Sequence, residues 1–171
     1  LYFMVGLPTE TVEDLEALVE LVQRLHKLKG PKGRRGQLNV SVATFIPKPH
    51  TPFQWAPQLP LAESRARIRW IQERLRPAGI EVKWQNPEMS LLEGVWARGD
   101  RRLGGVLQAA HRRGCRFDGW GDKIKFAAWM EAFAEEEVDP DFYLTRPREI
   151  HEPLPWDHID ISLKKSLLMS H

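Results

Sequence analysis

The stretch Leu38–Trp55, LNVSVATFIPKPHTPFQW, constrains the fold more than any other. Leu38, Val40, Val42, Thr44 and Ile46 alternate with Asn39, Ser41, Ala43 and Phe45. Both sets are largely apolar or small, the pattern of a strand buried on both faces in a parallel sheet or barrel wall. The second half carries Pro47, Pro49 and Pro52. Each proline fixes its own φ and pushes the residue before it out of the helical region. A buried strand feeding a stiff loop with Lys48, His50, Phe53 and Trp55 is how α/β folds build sites at strand C-termini.

The flanking sequence completes a β-α-β-α-β order. Leu1–Gly6 reads as a strand. Thr11 is placed to cap a helix, with Asp14 in a capping-box position. Val12, Leu15, Leu18, Val19, Val22 and Leu25 recur at helical spacing, and Gly30 and Pro31 end the helix. After the strand Leu38–Ile46, a helix over Leu61–Arg76 shows Ile68, Ile71 and Leu75 on one stripe. Pro77 and Gly79 stop it, and Ile80–Trp84 is a third strand. From Asn86 the pattern is helical: Asn86–Arg98, a helix capped by Asp100 running to Arg113, one capped by Asp122, and a last one capped by Ser162. Val138–Pro155 reads as irregular. The change near residue 85 divides residues 1–85 from residues 86–171.

Composition narrows the class. The net charge of +2 argues for no partner by itself. A single cysteine, Cys115, rules out a disulfide framework and points to a reducing, cytoplasmic setting. No apolar run reaches the roughly 20 residues of a membrane span. The opening LYFMVGLP already reads as a core strand, and SLKKSLLMSH stops within a helical pattern. Both ends are expected to be internal to a longer protein.

Three further motifs have two readings each. Residues 32–37, KGRRGQ, form a basic loop that either contacts phosphate or is simply solvated. Arg98-Gly99-Asp100-Arg101-Arg102 is either a capped helix break or an arginine pair for nucleotide or RNA phosphate. Trp156-Asp157-His158-Ile159-Asp160 sets His158 between two carboxylates, which falls short of a metal site by spacing.

LYFMVGLPTET before an amphipathic helix resembles the radical SAM segment in which a strand runs into G-F/L-P-x-E-T. SVATFIPKPHTPFQW resembles the next strand of that family, ending in a proline-rich loop. SLLEGVWARGDRRL, GCRFDGW and LPWDHIDISLKKSLL resemble the C-terminal part of a subgroup with a cobalamin-binding-like N-terminal domain. The resemblance implies the C-terminal strands and helices of a radical SAM partial (βα)6 TIM-like barrel, followed by a mainly helical extension. It implies an enzyme that cleaves S-adenosylmethionine reductively at a 4Fe-4S cluster. Val5, Gly6, Glu10, Phe45, Ile46 and Pro47 would bind S-adenosylmethionine, and Lys48, His50 and Thr51 would face substrate. The cluster's CxxxCxxC loop is absent from this sequence, so the chain is expected to be inactive alone, with no metal ligands of its own. Cobalamin would be held by the N-terminal domain of the parent, and the substrate class implied by analogy is RNA or ribosomal. The alternative is a non-catalytic RNA-binding module that uses residues 32–37, Arg101 and Arg102.

Overall fold

The computed structural model describes residues 1–29, 33 and 36–169, and it divides into two compact units. The first comprises Leu1–Phe45 and Leu61–Pro87. Its elements are β1 (Tyr2–Val5), α1 (Val12–Lys27), β2 (Val40–Thr44), α2 (Leu61–Leu75), a 3-10 turn (Arg76–Ala78) and β3 (Val82–Trp84). The three strands are parallel in the order β1-β2-β3, with Phe3 opposite Val42 and Val40 opposite Val82.

Local chemistry accounts for these elements. Thr11 caps α1 in a full capping box: its hydroxyl accepts from the Asp14 N–H, and the Asp14 carboxylate accepts from the Thr11 N–H at 2.9 Å. Glu13 and Asp14 in the first turn and Arg24, His26 and Lys27 in the last suit the helix dipole. Gly79 closes the turn after α2 at φ 71°, a left-handed conformation that costs glycine little. The proposed stop at Gly30 and Pro31 lies outside the described residues.

One face of the sheet carries the core. Val5, Val40, Val42 and Val82 pack with Leu15, Val19 and Val22 of α1 and with Ile68, Ile71 and Leu75 of α2. The other face is different: Tyr2 is 91% exposed, Met4 is exposed, and Ser41 and Ala43 are half-buried. The strand around Val42 is therefore buried on one face only, not on both. Val12, assigned to the apolar stripe of α1, is also exposed.

The expected partial (βα)6 barrel is not what forms. The described residues hold a small open sheet of three strands and seven helices. A partial (βα)6 barrel needs six strands, and the described residues supply three. Here β1 and β3 are both edges, and the chain beyond β3 is helical among the described residues. Exposed Lys83 and Trp84 mark β3 as an edge strand.

The second unit comprises Ile46–Pro60 and the chain from Glu88 onward. It contains α3 (Pro87–Arg98, whose first residue belongs to the other unit), α4 (Leu103–Arg112), α5 (Phe126–Glu135), α6 (Pro140–Leu144) and α7 (Lys165–Leu168). Trp96 meets Trp129 edge-on at 5.3 Å and stacks near Phe133 at 6.2 Å, joining α3 to α5. Of the seven tryptophans, Trp129 and Trp156 are buried, whereas Trp84 and Trp120 are exposed. Asp122 does not cap α5, which starts after Lys125, and Ser162 does not cap α7, which starts after Lys164. The stretch Val138–Pro155 is not wholly irregular: Asp139 caps α6 and Pro140 takes its first position.

The one-sided core makes a direct prediction. Ile71→Ala, at a site with no exposure, should cost about 3 kcal/mol in urea unfolding, whereas Tyr2→Ser should cost less than about 0.5 kcal/mol. Comparable losses from both would show that the second face is also packed.

Candidate functional site

The proline loop folds around a buried glutamine. Gln54 is 2% exposed, and its side-chain oxygen accepts from the His50 N–H at 3.1 Å and from the Trp156 indole N–H at 2.7 Å. Both groups can only donate, so the orientation of the amide is fixed. The loop bends hard at His50, which sits at φ 56°. Histidine is among the few non-glycine residues that tolerate this region, and it does so at a cost. The Thr51 hydroxyl closes the bend by donating to the Lys48 carbonyl at 2.8 Å.

The segment after α6 supplies the other wall. Asp157 accepts from the Leu154 N–H at 2.9 Å and pairs with the Lys165 ammonium at 3.2 Å. Burial works to raise the Asp157 carboxyl. The Leu154 N–H, the Lys165 ammonium and nearby His50 outweigh it and hold the carboxyl below its ordinary value. Asp160 accepts from the Ser162 N–H at 2.7 Å. His50, Gln54, Asp157, Asp160 and Lys165 line one cavity of about 290 Å³, with Ile159, Ile161, Leu163 and Leu168 as its apolar walls. The sequence singled out His50 and the Asp157–Asp160 stretch separately. The fold puts them in one place, with His158 outside the lining and exposed.

The other candidate residues are distributed as follows. Val5, Gly6, Glu10 and Phe45 belong to the first unit, at the C-terminal ends of β1 and β2, where the Phe45 N–H donates to the Val5 carbonyl at 2.8 Å. Gly6 has φ 91°, and its N–H donates to Glu10 at 2.9 Å. The second Glu10 oxygen pairs with Arg67, so both oxygens of this nearly buried carboxylate are engaged within the fold. Glu10 thereby shapes the turn after β1. Ile46, Pro47, Lys48, His50 and Thr51 belong to the second unit. Lys48 pairs with Glu93 at 2.6 Å.

The arginines fall into two kinds. Arg102 is held by both oxygens of Asp100, at 2.6 Å for the closest contact, and lies over the Phe142 and Tyr143 rings. Arg101 is exposed. Lys32, Arg34 and Arg35 of the basic loop lie outside the described residues. Arg98, by contrast, is fully buried and donates to the Ala56 carbonyl at 2.8 Å. Burial first, then Arg148 and Arg146 beside it, push its guanidinium down to about 10. Among the described residues no group of three His, Cys, Asp or Glu side chains is placed to hold a metal ion, and Cys115 is buried. No described helix is long and apolar enough to cross a membrane.

No protein-family model matches the chain, and no solved structure matches it. A protein of Methanocaldococcus jannaschii described as uncharacterized is 37% identical over 107 residues, which is 63% of this chain and 22% of that relative. The chain thus spans a minor part of the relative's length.

Sequence reading gave no role to Gln54 or Lys165, and it named Arg98 only as part of a helix break, not as a buried cation. Gln54 gave no signal among the prolines. Arg98 ends the mostly apolar helix stretch LLEGVWA, whose Leu91, Leu92 and Val95 are buried.

Asp100 offers a pH test. The Arg102 guanidinium, helped by the Arg102 N–H and the Tyr143 hydroxyl, lowers its carboxyl to about 2 against the opposing effect of burial. A folded-state value below the unfolded one stabilises above the unfolded value and is lost as pH falls through the folded one. Wild type should therefore lose about 1 kcal/mol between pH 4 and pH 2 that Asp100→Asn does not lose, the figure being reduced for solvent screening of Arg102. Matched acid limbs in urea titrations of the two proteins would count against this pairing.

Proposed function

We propose that this chain is part of a cytoplasmic radical SAM enzyme, contributing strand ends that contact S-adenosylmethionine. One observation carries the reading: the two stretches that resemble the family, GLPTET and FIPKPH, follow the C-terminal ends of adjacent parallel strands, β1 and β2. Ligands of α/β sheets bind beyond the carboxyl ends of strands.

The residues present do not fit the 4Fe-4S cluster. Such clusters need several thiolates, and the sequence has one cysteine, which is buried and whose thiol is raised by that burial. No step of the reaction is therefore assigned to this chain's own side chains. A cluster held by cysteines outside this chain would supply the reductive cleavage of S-adenosylmethionine in the parent. The role that fits this chain is shaping: Glu10 holds Gly6 in its left-handed turn, and buried Phe45 follows the end of β2. Any cobalamin would be held elsewhere in the parent. The RNA-module alternative is weaker, because Arg102 is already held by Asp100.

The test is a pair of assays. The longer polypeptide containing this sequence, reconstituted anaerobically with iron and sulfide, should convert S-adenosylmethionine to 5′-deoxyadenosine when reduced, and this chain alone should not. A reconstituted long form that makes no 5′-deoxyadenosine would overturn the reading.

A further inference from the structure

We propose that the cavity between the proline loop and the Asp157–Leu168 segment binds a small zwitterionic α-amino acid with an apolar side chain. The proposal does not depend on the radical SAM reading. It rests on which polar groups the cavity leaves unused, and on its size.

Gln54 comes first. Its oxygen is committed to the His50 and Trp156 N–H groups, which leaves the amide nitrogen without an acceptor among the described residues. The side chain is 2% exposed and lines the cavity. Water still reaches this nitrogen, and a ligand oxygen entering the cavity would accept from it in water's place. His50 comes second. It lines the same cavity, and its strained backbone is held there by Gln54 and by the closing bond from Thr51 to Lys48. Strain of this kind concentrates at binding sites.

The charges then select the ligand. Asp157 and Lys165 neutralise each other across 3.2 Å. Asp160 spends one oxygen on the Ser162 N–H and has no cationic partner among the described residues. The cavity thus presents donors at Gln54 and Lys165 and an uncompensated carboxylate at Asp160. A bare anion would meet Asp160, and a bare cation would gain nothing from the Gln54 and Lys165 donors. A zwitterion satisfies both: its carboxylate accepts from Gln54 and Lys165, and its ammonium faces Asp160. The apolar wall takes the side chain. Ile159 and Ile161 are 51% and 46% exposed, apolar surface that a ligand would cover. At about 290 Å³ the space suits a single amino acid and is small for a nucleotide or a peptide.

The experiment uses this chain and three probes: L-leucine, isopentylamine, which lacks the carboxylate, and 4-methylpentanoate, which lacks the ammonium. Titrations are followed by 1H–15N NMR at the Trp156 indole and the Gln54 side-chain amide. L-leucine should give saturable shifts at both and bind at least about tenfold tighter than either single-charge probe. Asp160→Asn, at an exposed position, should weaken L-leucine at least about tenfold with an unchanged melting temperature. Should that variant melt early, Leu163→Ser on the apolar wall is the substitute and should also weaken binding. The proposal is overturned by no saturable shift with L-leucine, by isopentylamine binding as well as L-leucine, or by variants that fold and bind normally. Loss of 5′-deoxyadenosine formation in the longer polypeptide would bear on the enzyme reading and leave this result untouched.

Discussion

A charge that water has been made to leave governs the second unit. Arg98 has no exposed surface, and its guanidinium reaches the Ala56 carbonyl in the proline loop and, at 3.4 Å, the Leu144 carbonyl at the end of α6. Its own carbonyl accepts from Arg148, itself nearly buried, at 3.1 Å. Three remote stretches are therefore pinned to the last turn of α3. Removing a cation from water costs several kcal/mol unless hydrogen bonds replace the solvent. Part of that cost is unrecovered, since two of the Arg98 nitrogens are buried without a partner among the described residues. Arg98 remains protonated at neutral pH even at its depressed value. Its surroundings must then hold it in one geometry, and the same rigidity extends to the loop that carries Gln54 and His50.

The first unit was largely legible, because its signals are local. Capping by Thr11 and Asp14, the stripe of Ile68, Ile71 and Leu75, and the stop at Gly79 all act within a few residues. Burial of the second sheet face was misread for a definable reason. Ser41 and Ala43 are small enough to suit either a covered or an open face, so alternation cannot distinguish the two. The barrel expectation came from resemblance and not from the strands, of which the sequence offers only three good candidates.

The cavity was legible in parts and not as a whole. His50 and the Asp157–Asp160 stretch each stood out by composition, yet nothing in their spacing joins residues so far apart. Gln54 makes the connection through Trp156, 102 positions away. Hydrogen bonds of that range have no periodicity to betray them. Arg102 shows the opposite case: a pair of adjacent arginines suggested phosphate, and a neighbour two positions away had already claimed one of them.

The chain leaves the first unit at Phe45, rejoins it at Leu61 and leaves it again after Pro87. Residues 46–60 are therefore an island of the second unit embedded in the sequence of the first. They are synthesised before α3 exists, and Gln58 and Gln54 must wait for Ser90 and Trp156 respectively. Neither unit is a continuous stretch of gene. Recombination that moved the helical half as a single exchangeable block would strand Arg98 without the Ala56 carbonyl and Trp156 without its acceptor. This interleaving ties the inheritance of the sheet to that of the cavity.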